Sequence, residues 1–320
     1  MDLFLPIFTQ MLVLFAFIAI GFLLAKFKVV PTNANAVLSK LENFIFVPAL
    51  VMGTFITNCT TENISTLWKV LLFSVILLVV LMPLSFLAAK FLCKDGYIKK
   101  ITIYGLVFSN FGFMGNAVVK AVFPELFFNY TVFTLPFWFA IYAWGVPTLL
   151  IGENANGEKR AISSRLKNFI NPMLIAMLVG MVIGLTGLKL PEKVTGAVDL
   201  LGDCMSPIAM ILTGITVANS DIKRLLKSKS IYGISAIRLV AFPLLFTLAV
   251  MFLPKGEFLT ETVLLCGICM TAMPMGLNSI VIPAAYGKDT SFAAALAVIT
   301  TLLSVITIPL MYLLFTAVVL

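Results

Sequence analysis

Apolar stretches alternate with short polar segments along the whole chain. A helix that crosses the roughly 30 Å hydrocarbon core of a bilayer needs about 20 apolar residues. The pattern therefore predicts ten membrane-spanning helices, which we number as spans 1 to 10. Their ranges are 3–25, 36–57, 68–92, 101–123, 130–151, 170–188, 196–217, 231–253, 262–286 and 291–319. Because the connections are short, we expect an all-α polytopic membrane protein without a separate soluble domain.

Composition supports a lipid environment. The 320 residues are 61% hydrophobic and only 11% charged, and the mean hydropathy is +1.10. Soluble domains are about half apolar and about a quarter charged. The net charge of +8 does not indicate nucleic-acid binding, because the basic residues lie in short loops between apolar stretches and form no basic domain.

The distribution of Lys and Arg predicts the orientation of the chain. The loops after spans 1, 3, 5, 7 and 9 and their flanks hold fifteen basic residues, whereas the opposite loops hold four. Basic loops stay in the cytoplasm. We therefore expect a multi-pass protein of the cell membrane with both termini outside.

Prolines repeat along the chain at a spacing of about 160 residues. The pairs are Pro31 and Pro191, Pro48 and Pro207, Pro83 and Pro243, and Pro147 and Pro309. This spacing predicts a first five-helix repeat at 1–152, a cytoplasmic linker at 153–169 and a second five-helix repeat at 170–320. Because five is odd, the second repeat would be inverted in the membrane, as in many secondary transporters.

Spans 4 and 9 contain residues that disfavour a continuous helix. They are Asn110, Gly112, Gly115 and Asn116 in span 4, and Pro274, Gly276 and Asn278 in span 9. Proline and glycine break or weaken helices, and lipid cannot satisfy the backbone groups that a break exposes. We predict two discontinuous helices that cross near the bilayer midplane and bind substrate there. The alternative is a seam of small residues that lets helices approach closely.

Charged residues inside predicted spans are further candidates, because each costs at least about 2.5 kcal/mol in the bilayer. Arg238 in span 8 could bind a substrate carboxylate or form a bridge with Asp203 in span 7, and the two roles are compatible if substrate and Asp203 compete. Asp203, Glu42 and Asp199 are the candidates for proton coupling. Sodium coupling through freed carbonyls is the weaker alternative.

The motifs SNFGFMGNAVV, AMPMGLNSIVIPAAYG, TTLLSVITIPL and VPALVMGTF resemble the auxin efflux carrier family. That family includes plant PIN carriers and prokaryotic permeases for malate and malonate, and the resemblance covers essentially the whole chain. It implies an inverted five-plus-five fold with spans 4 and 9 crossing, and an elevator-like transport of organic anions. Ala117 stands where the family often has proline.

The sequence thus predicts a secondary active transporter of small organic anions, such as dicarboxylates or auxin-like weak acids. The alternatives are a channel-like or sensor protein, or an intramembrane enzyme. The chain has no histidine, so zinc and Ser–His chemistry are not expected, and we expect no cofactor. The expected partners are the substrate and the lipid bilayer, and a homodimer is one assembly that this interpretation allows.

Overall fold

A computed structural model describes residues 4–31, 33–94, 96–151, 172–219, 228–254, 256–285 and 288–320. These residues form helices and no strand. The helices are α1 (Phe4–Lys26), α2 (Ala34–Asn58), α3 (Thr61–Leu92), α4 (Tyr97–Val107), α5 (Phe111–Val122), α6 (Pro124–Leu150), α7 (Pro172–Thr186), α8 (Glu192–Asn219), α9 (Lys229–Met251), α10 (Glu261–Thr271), α11 (Asn278–Ala285) and α12 (Ser291–Val318). The predicted linker at 153–169 lies outside the described residues.

Seven of these helices are long and apolar enough to cross a membrane, namely α1, α2, α3, α6, α8, α9 and α12. The prediction of an all-α membrane protein is therefore confirmed. The other three predicted spans correspond to α7, which has 15 residues, and to two interrupted pairs, α4 with α5 and α10 with α11. Ten spans in two inverted repeats remain a prediction.

Helices α1, α2, α7 and α8 pack against one another, and we call them the four-helix group. Glycines let their backbones approach closely. A methyl group placed on Gly21 of α1 would clash with the backbone oxygen of Ile211 in α8, and one on Gly180 of α7 would lie 2.7 Å from the backbone oxygen of Met52 in α2. Gly21 and Gly180 are separated by about the same spacing as the repeated prolines.

The remaining helices, α3 to α6 and α9 to α12, form a second bundle that we call the crossover group. Within it, α3 packs on α4 and α6, while α9 packs on α10 and α12. The two groups meet mainly where α1 contacts α5 and α12, where α8 contacts α5, and where α11 contacts the beginning of α2. The interrupted helices therefore lie at the interface of the two groups.

Several helices contain wide π-helical turns, and three of these turns precede or contain a proline. They are Glu42–Phe46 before Pro48, Ile141–Leu150 around Pro147, and Ile237–Ala241 before Pro243. Proline lacks a backbone N–H and clashes with the carbonyl one turn earlier, so the helix widens there. Two charged residues inside the membrane helices, Glu42 and Arg238, lie in these turns.

Candidate functional site

The two interrupted helices pair with each other at their breaks. Residues 108–110 separate α4 from α5, and residues 272–277 separate α10 from α11. The backbone N–H of Asn110 donates to the oxygen of Pro274 at 2.7 Å, and that of Gly276 donates to the oxygen of Phe108 at 3.3 Å. These bonds satisfy backbone groups that lipid would leave unpaired. We call this pairing the crossover.

Two side chains that the sequence analysis did not single out reinforce the crossover. The Ser109 hydroxyl donates to the backbone oxygen of Met270 at 2.9 Å, and the Met275 N–H donates to the Thr300 hydroxyl at 3.2 Å. Both hydroxyls are buried. Serine and threonine are common in membrane helices, where they bond to their own backbone, so their residue types gave no signal.

Three asparagines lie on the two interrupted helices, one at the break before α5, one within α5 and one at the start of α11. Asn110 is 2% exposed and Asn116 is 6% exposed, and the side-chain oxygen of each has no hydrogen-bond partner among the described residues. Asn278 is half-buried and begins α11. Buried polar atoms are normally paired, so an unpaired one often marks a place where a ligand or water binds. An amide can accept or donate, which suits both forms of a carboxyl group.

The two glycines of span 4 have a packing role. A methyl group on Gly112 would lie 2.6 Å from the Trp138 ring, and one on Gly115 would clash with the Tyr130 hydroxyl. Tyr130 donates in turn to the backbone oxygen of Phe111 at 3.3 Å. The small-residue seam therefore accounts for Gly112 and Gly115, while it does not account for the asparagines.

Arg238 contacts the crossover through backbone carbonyls. Its Nε donates to the oxygen of Met273, one Nη to that of Leu106 and the other Nη to that of Met270, each at 3.0 Å. The residue is 1% exposed. The bridge to Asp203, one of the two roles that the sequence allowed, therefore does not form. The guanidinium binds backbone oxygens at helix ends instead, and residue types give no signal for such a contact.

Asp203 instead forms an ion pair with Lys120, and the two side chains are 60% and 45% exposed. Lys120 is in α5 of the crossover group, so the pair connects the two groups. Asp199 is also exposed. Both aspartates therefore lie on the surface of α8, and their role in proton coupling stays a prediction.

Among the membrane helices that the structure describes, Glu42 is the acidic residue whose carboxyl group is buried. It is 0% exposed, and neither carboxyl oxygen has a hydrogen-bond partner among the described residues. The π-helical turn that it begins contacts α7 and α8, so it lies inside the four-helix group and not at the crossover. An unpaired charge in such a place is costly.

A cavity of about 440 Å³ opens beyond the end of α5, away from the crossover. Two carboxylates lie on its wall, Glu125 and Glu261, and a half-helix separates each from the crossover. Carboxylates repel an organic anion, so this cavity does not provide an anion site. Its full lining is Val122, Phe123, Pro124, Glu125, Leu126, Asn129, Glu261, Thr262 and Leu265.

Comparison with known proteins identifies the family of the chain. A family model described as "Membrane transport protein" matches residues 6–312. The chain belongs to this membrane transport family. This family is the auxin efflux carrier family, which the motifs of the sequence resemble. The transporter is also similar to a protein of Rhizobium meliloti (strain 1021) described as "Putative malonate transporter", with 24% identity over 299 residues that cover 92% of this chain and 91% of that protein.

Membership of this family decides between a transporter and an enzyme. The transporter is embedded in a membrane, carries a small molecule and is not an enzyme. The expectation from the sequence is confirmed at this level.

Proposed function

We propose that the protein is a secondary active carrier of a small organic anion, and that the anion binds at the crossover. The observation that carries this proposal is the pairing of two broken helices beside the buried amides of Asn110 and Asn116. Their N–H groups can donate to a carboxylate, and their oxygens have no partner among the described residues. Half-helices α5 and α11 begin at the breaks, and helix N-termini favour anions. The similarity to a protein described as a malonate transporter favours a short dicarboxylate as substrate. An auxin-like weak acid is the other substrate class.

Transport by an elevator-like movement would displace the crossover group along the four-helix group. Hydrogen bonds tie the two interrupted helices to each other and to α9, so the crossover moves as one unit. Contacts between the groups are fewer and include the exposed Lys120–Asp203 ion pair, which is worth only about 0–1 kcal/mol. The equivalent glycine contacts of α1 with α8 and of α7 with α2 support two inverted repeats.

We further propose that transport is coupled to protons through Glu42. An isolated buried carboxylate would be several kcal/mol unfavourable, so the residue carries a proton in this conformation. Coupling follows if the opposite conformation admits water to Glu42 and lets the proton leave. Sodium coupling and uncoupled transport are the competing outcomes. A cell-membrane location with both termini outside, and a homodimeric assembly, complete the proposal.

The experiment that tests the proposal is uptake into proteoliposomes that contain the purified protein. Labelled malonate, malate and an indole carboxylic acid are offered separately, with an inward pH gradient, a sodium gradient or no gradient. We expect saturable uptake with counterflow for at least one dicarboxylate, stimulated by the pH gradient. Failure to transport any organic acid would reject the proposal, whereas non-saturating flux without counterflow would indicate a channel.

A further inference from the structure

Arg238 binds the ends of two different helices at once. Leu106 is in the last turn of α4, Met270 is in the last turn of α10, and Met273 lies two residues after the end of α10. All three carbonyl oxygens accept from the guanidinium at 3.0 Å. Carbonyls in the last turn of a helix have no partner within the helix. The arginine therefore replaces hydrogen bonds that α4 and α10 lose where each of these helices is interrupted.

The charge of Arg238 also requires compensation, because the residue is fully buried. Within the described residues it forms no ion pair with a carboxylate. Each helix C-terminus carries a partial charge of about −0.5, so two of them supply about −1. The C-terminal ends of α4 and α10 therefore balance the single positive charge of the guanidinium.

We propose that Arg238 is a positioning residue that cancels the negative ends of α4 and α10, so that the positive ends of α5 and α11 dominate at the crossover. This rests on the proposed function, because the crossover must bind an anion for the field to matter. Without the arginine, the opposed helix ends would leave a site that no longer prefers anions. Arg238 thus determines charge selectivity without contacting the substrate.

The expected size follows from Coulomb's law. Removing one unit charge about 10 Å from an anion, at an effective dielectric constant near 20, weakens binding by roughly tenfold for each negative charge of the ligand. A dianion should therefore lose about a hundredfold, a monoanion about tenfold and a neutral analogue little.

The test compares Arg238→Gln and Arg238→Lys with wild type and with Ser74→Ala as a control. Ser74 is equally buried in the crossover group and donates to the backbone oxygen of Phe133, so its replacement removes a buried hydrogen bond without changing charge. Dissociation constants are measured calorimetrically for malonate, its monomethyl ester and its dimethyl ester. Thermal unfolding without ligand is measured in parallel.

We expect Arg238→Gln to lower thermal stability and to weaken malonate binding far more than binding of the dimethyl ester. Arg238→Lys should keep the ratio of malonate affinity to dimethyl-ester affinity within about threefold of wild type while losing stability, because it keeps the charge but not the planar fork.

Equal losses of affinity for all three ligands in Arg238→Gln would overturn the proposal, as would a collapse of this affinity ratio in Arg238→Lys. An Arg238→Gln protein that keeps full thermal stability but no longer binds malonate would also overturn it, because this result would indicate direct contact between Arg238 and the anion. If Arg238→Gln does not fold, the lysine variant alone decides. Absence of malonate binding by wild type would instead count against the proposed function.

Discussion

Replacing Gly276 by alanine tests how tightly the crossover is built. A methyl group on Gly276 would lie 3.0 Å from the backbone oxygen of Ser109 and 3.2 Å from that of Phe108, closer than Cβ atoms normally approach. Both oxygens belong to backbone held by the crossover bonds, so they cannot rotate away as a side chain would. The two breaks must separate by a few tenths of an ångström, at a cost of about 1–3 kcal/mol.

Gly196 of α8 provides the matched control. A methyl group there meets no atom within 4 Å. Alanine in an open helix position is favoured over glycine by about 1 kcal/mol. We therefore expect thermal unfolding of the purified protein to show Gly276→Ala less stable than Gly196→Ala by about 2–4 kcal/mol, a difference of several degrees. Equal stability of the two variants would refute the tight backbone contact at the crossover.

Two further predictions concern coupling and movement. Glu42→Gln should leave stability nearly unchanged, because a neutral amide of the same size replaces a protonated carboxyl, and should abolish stimulation of uptake by a pH gradient. Intact stimulation would remove Glu42 from the coupling mechanism. Treatment of a Lys120→Cys/Asp203→Cys pair, in a Cys204→Ser background, with a reducible bismaleimide that spans the length of the lost side chains should join the two groups and stop uptake until a reductant is added. Each single cysteine variant is the control, and a cross-linked protein that still transports would contradict the elevator movement.

The sequence predicted the breaks in spans 4 and 9 because proline, glycine and asparagine act on the backbone locally. Its prolines and glycines placed both interruptions correctly to within a few residues. The break of span 4 lies at residues 108–110, and regular helix resumes at Asn116 and runs through Ala117. The absence of a proline at Ala117 therefore did not prevent the interruption, which lies upstream of it.

Charged residues were predicted less well, because their partners depend on how distant helices pack. The residue types suggested that Arg238 would meet a carboxylate, whereas it meets three backbone oxygens. Asp203 was a candidate partner of Arg238, yet it pairs with Lys120 of the other helix group. Hydropathy gives depth along one helix, but the direction in which a side chain points depends on its neighbours.

The most direct measurement of the central claim is the KM for malonate uptake in an Asn116→Ala/Asn278→Ala protein. Asn43→Ala is the control, because Asn43 lies in the four-helix group and its amide donates to the Ser39 oxygen. Loss of two hydrogen bonds to a charged carboxylate, each worth about 1.5–3 kcal/mol, predicts a KM raised at least tenfold at normal expression. The control should match wild type. Saturable wild-type uptake with an unchanged KM in the double variant would place the anion elsewhere and contradict the account.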